Sequence, residues 1–329
     1  MNSKDASRPG LVSGIFTAIF GIILGLTISE IVLRILAPDS LVLLSIFDER
    51  NLLYQYDSSL GWRPTPQSSY AFNGCRAISV QHNSLGFRDR EHGNSEQHRL
   101  LVLGDSFIWG YDVEANERFT DLIQNKYPAL NVVNLGVSGF GTDQELLLLR
   151  SLIDQLRPES VLLMYNDGTD ATDNTSNIVY GGYYKPWFEK ASDGTINLKG
   201  IPVPRSMRYA LKPYIKLLEY SYVLRMAARM TLIADGLLHQ VEVPDLSYEL
   251  ILQMKNLVES HNGKLLVGFT GSGGSLKGML EREHIPTVSL NDAQKYSGCG
   301  EHWTPAGQIE VAGKIEALLQ NAKIISLTR

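Results

Sequence analysis

Residues 100–110 read Leu-Leu-Val-Leu-Gly-Asp-Ser-Phe-Ile-Trp-Gly, and this stretch decides the fold. An unbroken apolar run that ends in Gly-Asp-Ser predicts a buried strand of a parallel sheet followed by a sharp turn. Ser106 would then lie at the carboxyl end of that strand, which is the edge where open α/β sheets bind ligands. A serine at this point can act as a nucleophile or can cap the next helix, and the stretch alone favours neither role.

Strands and helices alternate in the sequence after this stretch. The predicted strands are 130–135, 160–165, 264–270 and 285–290, and the predicted helices are 119–126, 143–156, 247–261, 276–283 and 304–320. This alternation predicts a sheet with helices on both faces. We therefore expect an α/β fold, a three-layer doubly wound parallel sheet of flavodoxin-like type. Residues 170–245 break the alternation and are interpreted as a helical insertion.

The insertion contains a long basic and amphipathic stretch from Arg205 to His239. Its aromatic residues either line a substrate groove or pack against the core. Its cations face either lipid headgroups or solvent. These cations are Lys212, Lys216, Arg225 and Arg229.

The N-terminal segment departs from an otherwise globular composition. The run from Leu11 to Ser29 carries no charge and is about long enough to cross a bilayer as a helix, so we predict a transmembrane anchor over 11–36. Lys4 and Arg8 precede the run, which places residues 1–10 in the cytoplasm and the body outside, in the periplasm or at the cell surface. The alternative is a cleaved signal peptide, which the length of the apolar run disfavours.

The remaining divisions are a lead-in segment over 37–99 and the α/β domain over 100–329. A net charge of -5 over 329 residues argues against a nucleic-acid partner. Cys75 and Cys299 are the two cysteines, and they either pair in an oxidising compartment or remain buried thiols. The glycine-rich loops lack dinucleotide and P-loop spacing, and no zinc-type cluster occurs, so we predict neither cofactor nor metal.

Four loops supply chemically useful groups to one edge of the predicted sheet. They carry the Ser106 hydroxyl, the Gly139 N–H, the Asn166 side-chain amide and the His302 imidazole. Acyl transfer requires a hydroxyl nucleophile, an imidazole that accepts its proton, and donors directed at the oxyanion. Each residue alone has an ordinary structural explanation, but their joint occurrence in the right elements and order favours a catalytic site.

These residues resemble the sequence blocks of the SGNH, or GDSL-type, hydrolase family over about residues 83–320. The matching positions are Gly104-Asp105-Ser106, Gly139, Asn166-Asp167, and His302 with Gly307. The resemblance implies that Ser106 is the nucleophile and His302 the general base. It also implies an oxyanion hole formed by the N–H groups of Ser106 and Gly139 and the side chain of Asn166. His302-Trp303-Thr304 further resembles the polysaccharide O-acetylation branch of this superfamily.

The chain departs from the family pattern at two positions. Met164 replaces a glycine, which affects local packing, and Cys299 replaces the aspartate expected three residues before His302. The candidates to orient His302 are then Glu301, Asp292 or a backbone carbonyl.

The expected function is an extracytoplasmic serine esterase or O-acyltransferase that acts on acyl esters, most simply acetyl esters, of a cell-envelope polysaccharide or a related small ester. The alternative is a catalytically impaired relative that binds glycan or scaffolds an envelope complex.

Overall fold

The computed structural model of this chain describes residues 9–36, 53–93 and 98–326. Its strands are β1 Tyr54–Asp57, β2 Gly61–Pro64, β3 Ser69–Asn73, β4 Ala77–Gln81, β5 Arg99–Gly104, β6 Asn131–Asn134, β7 Ser160–Tyr165, β8 Ile178–Val179, β9 Tyr183–Tyr184, β10 Trp187–Lys190, β11 Ile196–Lys199, β12 Lys264–Phe269 and β13 Thr287–Ser289. Its α-helices are α1 Pro9–Leu36, α2 Ser106–Trp109, α3 Phe119–Lys126, α4 Thr142–Leu156, α5 Asp170–Asp173, α6 Met207–Leu211, α7 Ile215–Tyr220, α8 Tyr222–His239, α9 Ser247–Ser260, α10 Gly274–Arg282 and α11 Pro305–Asn321.

A five-stranded sheet lies at the centre, in the order β13-β12-β7-β5-β6. Every neighbouring pair in it is parallel. The chain order reverses between β5 and β7, and the loops that follow these two strands diverge at that point. Such a switch point opens a crevice at the carboxyl edge of the sheet. Ser106 follows β5 and Asn166 follows β7, so both lie at this crevice.

The predicted three-layer α/β fold is confirmed. Along β5, Leu101 and Leu103 face one hydrophobic core, while Leu100 and Val102 face a second core on the other side of the sheet. Helices α4 and α9 cover the first face, and α3 and α11 cover the second. This alternation follows from strand geometry, since successive side chains point to opposite faces. Both faces are apolar, which explains the unbroken hydrophobic run in the sequence.

The lead-in forms two antiparallel hairpins, β1–β2 and β3–β4. Trp62, Ile78 and Phe87 are buried in the same core as the sheet residues of the first face. Its described part therefore packs as an extension of the α/β body. The residues 37–52 of the predicted lead-in lie outside the described residues.

Helix α1 is apolar and exposed over most of its length. The span Ser13–Leu36 has a mean hydropathy of 2.2 and is 0% buried, so it is long and apolar enough to cross a membrane. The expected anchor over 11–36 coincides with this helix. Lys4 and Arg8, on which the predicted orientation depends, lie outside the described residues.

Candidate active site

The sharp turn after β5 positions Ser106. Gly104 ends the strand, and a Cβ atom built on it would lie 2.2 Å from Ile108 Cγ1, so a larger residue does not fit there. Asp105 caps helix α2, its carboxylate accepting a hydrogen bond from the Phe107 N–H at 3.0 Å. The cap role considered for Ser106 therefore belongs to Asp105. Ser106 is left at the first helical position, half-buried, with its hydroxyl available for another contact.

His302 meets Ser106 across the crevice. The His302 Nε2 atom lies 2.8 Å from Ser106 Oγ, although the two residues are 196 positions apart in the sequence. The Tyr111 ring stacks on the imidazole with a centroid separation of 4.6 Å, and Phe107 contacts it from a tilted position. The neighbouring Trp303 is fully buried and fixes the loop. The hydroxyl and imidazole thus have the geometry of a nucleophile and its general base.

Hydrogen bonds fix the orientation of the Asn166 amide. Its Oδ1 atom accepts from the Thr270 hydroxyl at 3.1 Å and from the Gly168 N–H at 2.9 Å. Its Nδ2 atom donates to Asp105 Oδ2 at 2.7 Å. With the oxygen held by two donors, the amide presents its nitrogen toward the switch point. The NH₂ group carries a second hydrogen, which makes Asn166 suitable as an oxyanion donor.

Gly139 lies in the loop after β6, at the same edge of the sheet. Its φ is +79°, a left-handed conformation that glycine adopts without strain. Within residues 53–93 and 98–326, no hydrogen bond uses the Gly139 N–H. The loop is held by its neighbour, because Ser138 N donates to the Tyr54 hydroxyl at 3.2 Å and Ser138 O accepts from Trp62 Nε1 at 3.3 Å. The Gly139 donor is therefore on a fixed backbone.

The Asp112 carboxylate, which was not predicted from the sequence, lies near the far side of the His302 ring. Asp112 Oδ2 lies 4.0 Å from His302 Nδ1, and both side chains are largely buried, with 2% and 14% exposure. The other oxygen, Oδ1, accepts from the Cys75 N–H at 2.7 Å. Burial raises the pKa of Asp112, while the N–H groups of Cys75 and Arg76 lower it. This arrangement places an acid near the imidazole without using position 299.

The two carboxylates considered from the sequence lie at exposed positions. Asp292 is largely exposed and pairs with Lys314. Glu301 is exposed and lies at a φ of +55°, next to His302 along the chain. Asp112 lies 4.0 Å from His302 Nδ1 because the loop after α2 passes beside His302.

Two features hold the loop that carries Asp112. The buried Arg88 guanidinium donates to the carbonyl oxygens of Trp109 at 3.2 Å and Val113 at 2.9 Å, on either side of Asp112. The second feature is a disulfide between Cys75 and Cys299, with a Cα–Cα distance of 5.6 Å. The disulfide joins the segment that donates to Asp112 to the loop that carries His302. Of the two alternatives for the cysteines, the structure therefore has the paired one.

Carboxylates are concentrated beneath the switch point. Asp105, Glu145 and Asp170 are buried, and loss of solvation is the main reason that the pKa of each is raised. Repulsion from Asp170 raises the pKa of Glu145 further, and repulsion from Asp105 raises the pKa of Asp170 further. Asp143, beside them, pairs with the fully buried Lys185. Asp170 also accepts from the Asn166 N–H at 3.0 Å, so the cluster supports the loop that presents Asn166.

Comparisons with known proteins identify similar folds. No family model and no curated protein matches the chain. The similar solved structures include the psychrotrophic esterase EstA from a Pseudoalteromonas species, at 13% identity, 70% of this chain, 100% of that chain and a TM-score of 0.41. They also include Est24, a carbohydrate acetylesterase from Sinorhizobium meliloti, at 14% identity over 68% of this chain and 100% of that chain, with a TM-score of 0.38. A lipolytic protein of the G-D-S-L family from Veillonella parvula matches at 12% identity over 67% of this chain and 97% of that chain, with a TM-score of 0.39.

Proposed function

We propose that the chain is a serine hydrolase or acyltransferase of the SGNH type that acts on ester bonds through Ser106. The observation that carries this proposal is the 2.8 Å contact between Ser106 Oγ and His302 Nε2 at the switch point of the sheet. A buried carboxylate near the imidazole and an oriented amide at the same edge of the sheet supply the further groups that acyl transfer requires.

In the first step, Ser106 Oγ attacks the ester carbonyl carbon while His302 Nε2 accepts the hydroxyl proton. The resulting imidazolium lies 4.0 Å from the Asp112 carboxylate, which stabilises its positive charge. Collapse of the tetrahedral intermediate expels the alcohol, which takes the proton from His302. The acyl group remains on Ser106 as an ester.

The developing oxyanion requires donors that are already in place. The Asn166 side chain, the Gly139 N–H and the Ser106 N–H are proposed for this role. Because Thr270 and Gly168 fix the Asn166 amide before substrate binds, reorganisation contributes little to the barrier. The Asp105 carboxylate holds the same amide at 2.7 Å. Its hydrogen bond also prevents the amide from flipping and presenting its oxygen to the oxyanion.

Deacylation decides between the two reactions. Water, activated by His302, gives an esterase, and a sugar hydroxyl in the same position gives an O-acyltransferase. The proposed substrate is an acyl ester, most simply an acetyl ester, of a cell-envelope polysaccharide or a related small ester. The proposed location is extracytoplasmic, with α1 as the anchor, and the Cys75–Cys299 disulfide is consistent with an oxidising compartment.

The test is covalent labelling by a fluorophosphonate probe, which reacts with activated serines. Wild type should be labelled, and Ser106→Ala should not. Ser260→Ala is the matched control, because this exposed serine contacts only local groups, the Leu257 carbonyl oxygen at 2.6 Å and the adjacent His261 ring at 3.1 Å, and the variant should be labelled like wild type. Folded wild-type protein that resists the probe would refute the proposal, as would labelling that survives the Ser106 substitution.

A second measurement separates esterase from transferase. The wild-type protein is incubated with an acetylated oligosaccharide, with and without an unacetylated acceptor, and the products are identified by mass spectrometry. Free acetate alone indicates water as the acceptor. Acetylated acceptor that depends on Ser106 indicates transfer.

A further inference from the structure

Helix α8 exposes an apolar face from Met230 to Leu238. Met230, Leu237 and Leu238 are 58%, 81% and 78% exposed, and Ile233 is exposed beside them. The buried Ala228 and Leu232 occupy the other side, where Ala228 packs with Leu218 of α7. A water-facing helix surface normally carries charged and polar residues, so an 18-residue helix with an apolar outer side requires a partner.

The exposed apolar surface extends into the preceding helix. Tyr214, Leu217 and Tyr220 are 56%, 58% and 76% exposed around α7. Tyrosine is enriched where bilayers meet water, because its ring is apolar and its hydroxyl is polar. Lys216 is exposed on the same short helix and can reach headgroup phosphates. Apolar, aromatic and basic side chains therefore occur together, as in helices that lie in a membrane interface.

Two ionic side chains join this surface to α1. The Glu30 carboxylate accepts hydrogen bonds from the N–H groups of Tyr222 and Val223 and from the Ser221 hydroxyl, each at 3.0 Å. Arg34 pairs with Glu30 at 2.8 Å and lies over the Tyr222 ring at 4.9 Å. The carboxylate thus occupies the N-terminal end of α8, where a helix favours negative charge.

The position of Glu30 along α1 sets the level of this junction. Glu30 precedes Leu36, the last residue of α1, by six positions, which corresponds to about 9 Å at a rise of about 1.5 Å per residue. The first turn of α8 therefore lies beside the last two turns of the apolar span. If α1 crosses a bilayer, this level is the boundary between acyl chains and headgroups.

We propose that α7 and α8 lie in the interface of the bilayer that α1 crosses, with the outer side of α8 against lipid acyl chains. The partner is the lipid surface, because Glu30 and Arg34 hold the first turn of α8 against the apolar span, so that a bilayer around α1 would reach the insertion. The inference depends on α1 being a membrane helix and is independent of the chemistry of Ser106. The insertion would then give the body a second, reversible contact with the membrane beside its anchor.

The test measures the surroundings of nitroxide labels on the full chain in vesicles of phosphatidylcholine and phosphatidylglycerol. Cys75 and Cys299 are bonded to each other, so an introduced cysteine is the thiol that reacts. Met230→Cys and Leu237→Cys probe α8. Phe20→Cys, 68% exposed on α1, is the lipid reference, and Ile309→Cys, 63% exposed on α11, is the matched apolar control outside the insertion.

Oxygen dissolves in acyl chains and a nickel chelate stays in water, so the ratio of their collision rates reports the surroundings. The labels at 230 and 237 should give a ratio several-fold above that at 309 and close to that at 20. A ratio like that at 309 would show a solvated helix and overturn the proposal. Low collision rates with both reagents, together with spin–spin broadening, would show a second copy of the chain on this face and overturn it too. Probe labelling of Ser106 is measured separately, so neither result depends on the proposed activity.

Discussion

Replacement of Asp112 by asparagine tests the assignment of the carboxylate that serves His302. Asparagine has the same shape, and its Oδ1 can still accept the Cys75 N–H that Asp112 accepts at 2.7 Å. The substitution removes the negative charge 4.0 Å from His302 Nδ1 and leaves the loop held by Arg88. The change is therefore electrostatic rather than steric.

The separation gives the size of the effect. Two unit charges 4 Å apart interact by about 4 kcal/mol at an effective dielectric of about 20, the value that suits groups in proteins. The interaction exists only when the imidazole is protonated, so it lowers the barrier without binding the substrate. Since about 1.4 kcal/mol is a factor of ten in rate, kcat should fall by about 10²–10³-fold while KM changes little.

The assay is steady-state hydrolysis of a chromogenic acetyl ester, with the thermal unfolding midpoint measured on the same samples. Asp292→Asn and Glu301→Gln are the matched controls, because both carboxylates are near His302 in sequence, and both variants should retain wild-type kcat. An Asp112→Asn protein with unchanged unfolding and unchanged kcat would refute the role of Asp112. A loss of kcat in Glu301→Gln instead would indicate that Glu301, not Asp112, orients His302.

Three further predictions concern the oxyanion hole, the buried acids and the turn. Asn166→Ala should lower kcat by about 10²–10³-fold, as expected for one lost oxyanion donor, and unchanged ester kinetics would remove Asn166 from the hole. Burial and neighbouring carboxylates raise the pKa of Glu145, so the folded state binds its proton more tightly than the unfolded state, and stability falls as pH rises above about 4.5. The free energy of unfolding of Glu145→Gln, measured by thermal melts and taken relative to wild type, should therefore increase between pH 5 and pH 8, by about 1.4 kcal/mol for each unit of raised pKa that the interval spans. An equal difference between variant and wild type at both pH values would contradict this. Gly104→Ala places a Cβ atom 2.2 Å from Ile108 Cγ1, so it should lower the unfolding midpoint and abolish probe labelling, and a wild-type melt with full labelling would show that the turn tolerates a side chain.

The sequence predicted the sheet well because both of its faces are buried. Apolar runs such as Ser160–Tyr165 have the predicted bounds in the structure, and the helix Phe119–Lys126 does as well. The final strand is shorter, Thr287–Ser289 rather than 285–290, because it pairs only with one neighbour at the edge of the sheet. Short amphipathic segments depend on tertiary contacts, so their ends are least visible in the sequence.

Candidate site residues were predicted where a residue directly follows a strand or precedes a helix. Ser106, Asn166 and His302 were proposed in this way, and the structure places Ser106 beside His302. Asp112 was not, because it lies in a turn at a φ of +63° and reaches His302 only through the packing of distant loops. One signal was available in the sequence. Because Cys299 stands where the family pattern has an aspartate, a carboxylate that orients His302 would have to come from another segment, and an acidic residue soon after Ser106 was a candidate. The support from Arg88 and Cys75 depends on hairpins whose docking no local pattern reveals.

The bond between Cys75 and Cys299 has a consequence for where the protein can mature. It joins cysteines 224 positions apart in the sequence, and it connects the segment that donates to Asp112 to the loop that carries His302. In reducing surroundings, chain segments so far apart would have to find their relative position through packing alone. If the body is exported as proposed, formation of this bond in an oxidising compartment would fix the turn that carries Asp112 and the loop that carries His302 relative to each other.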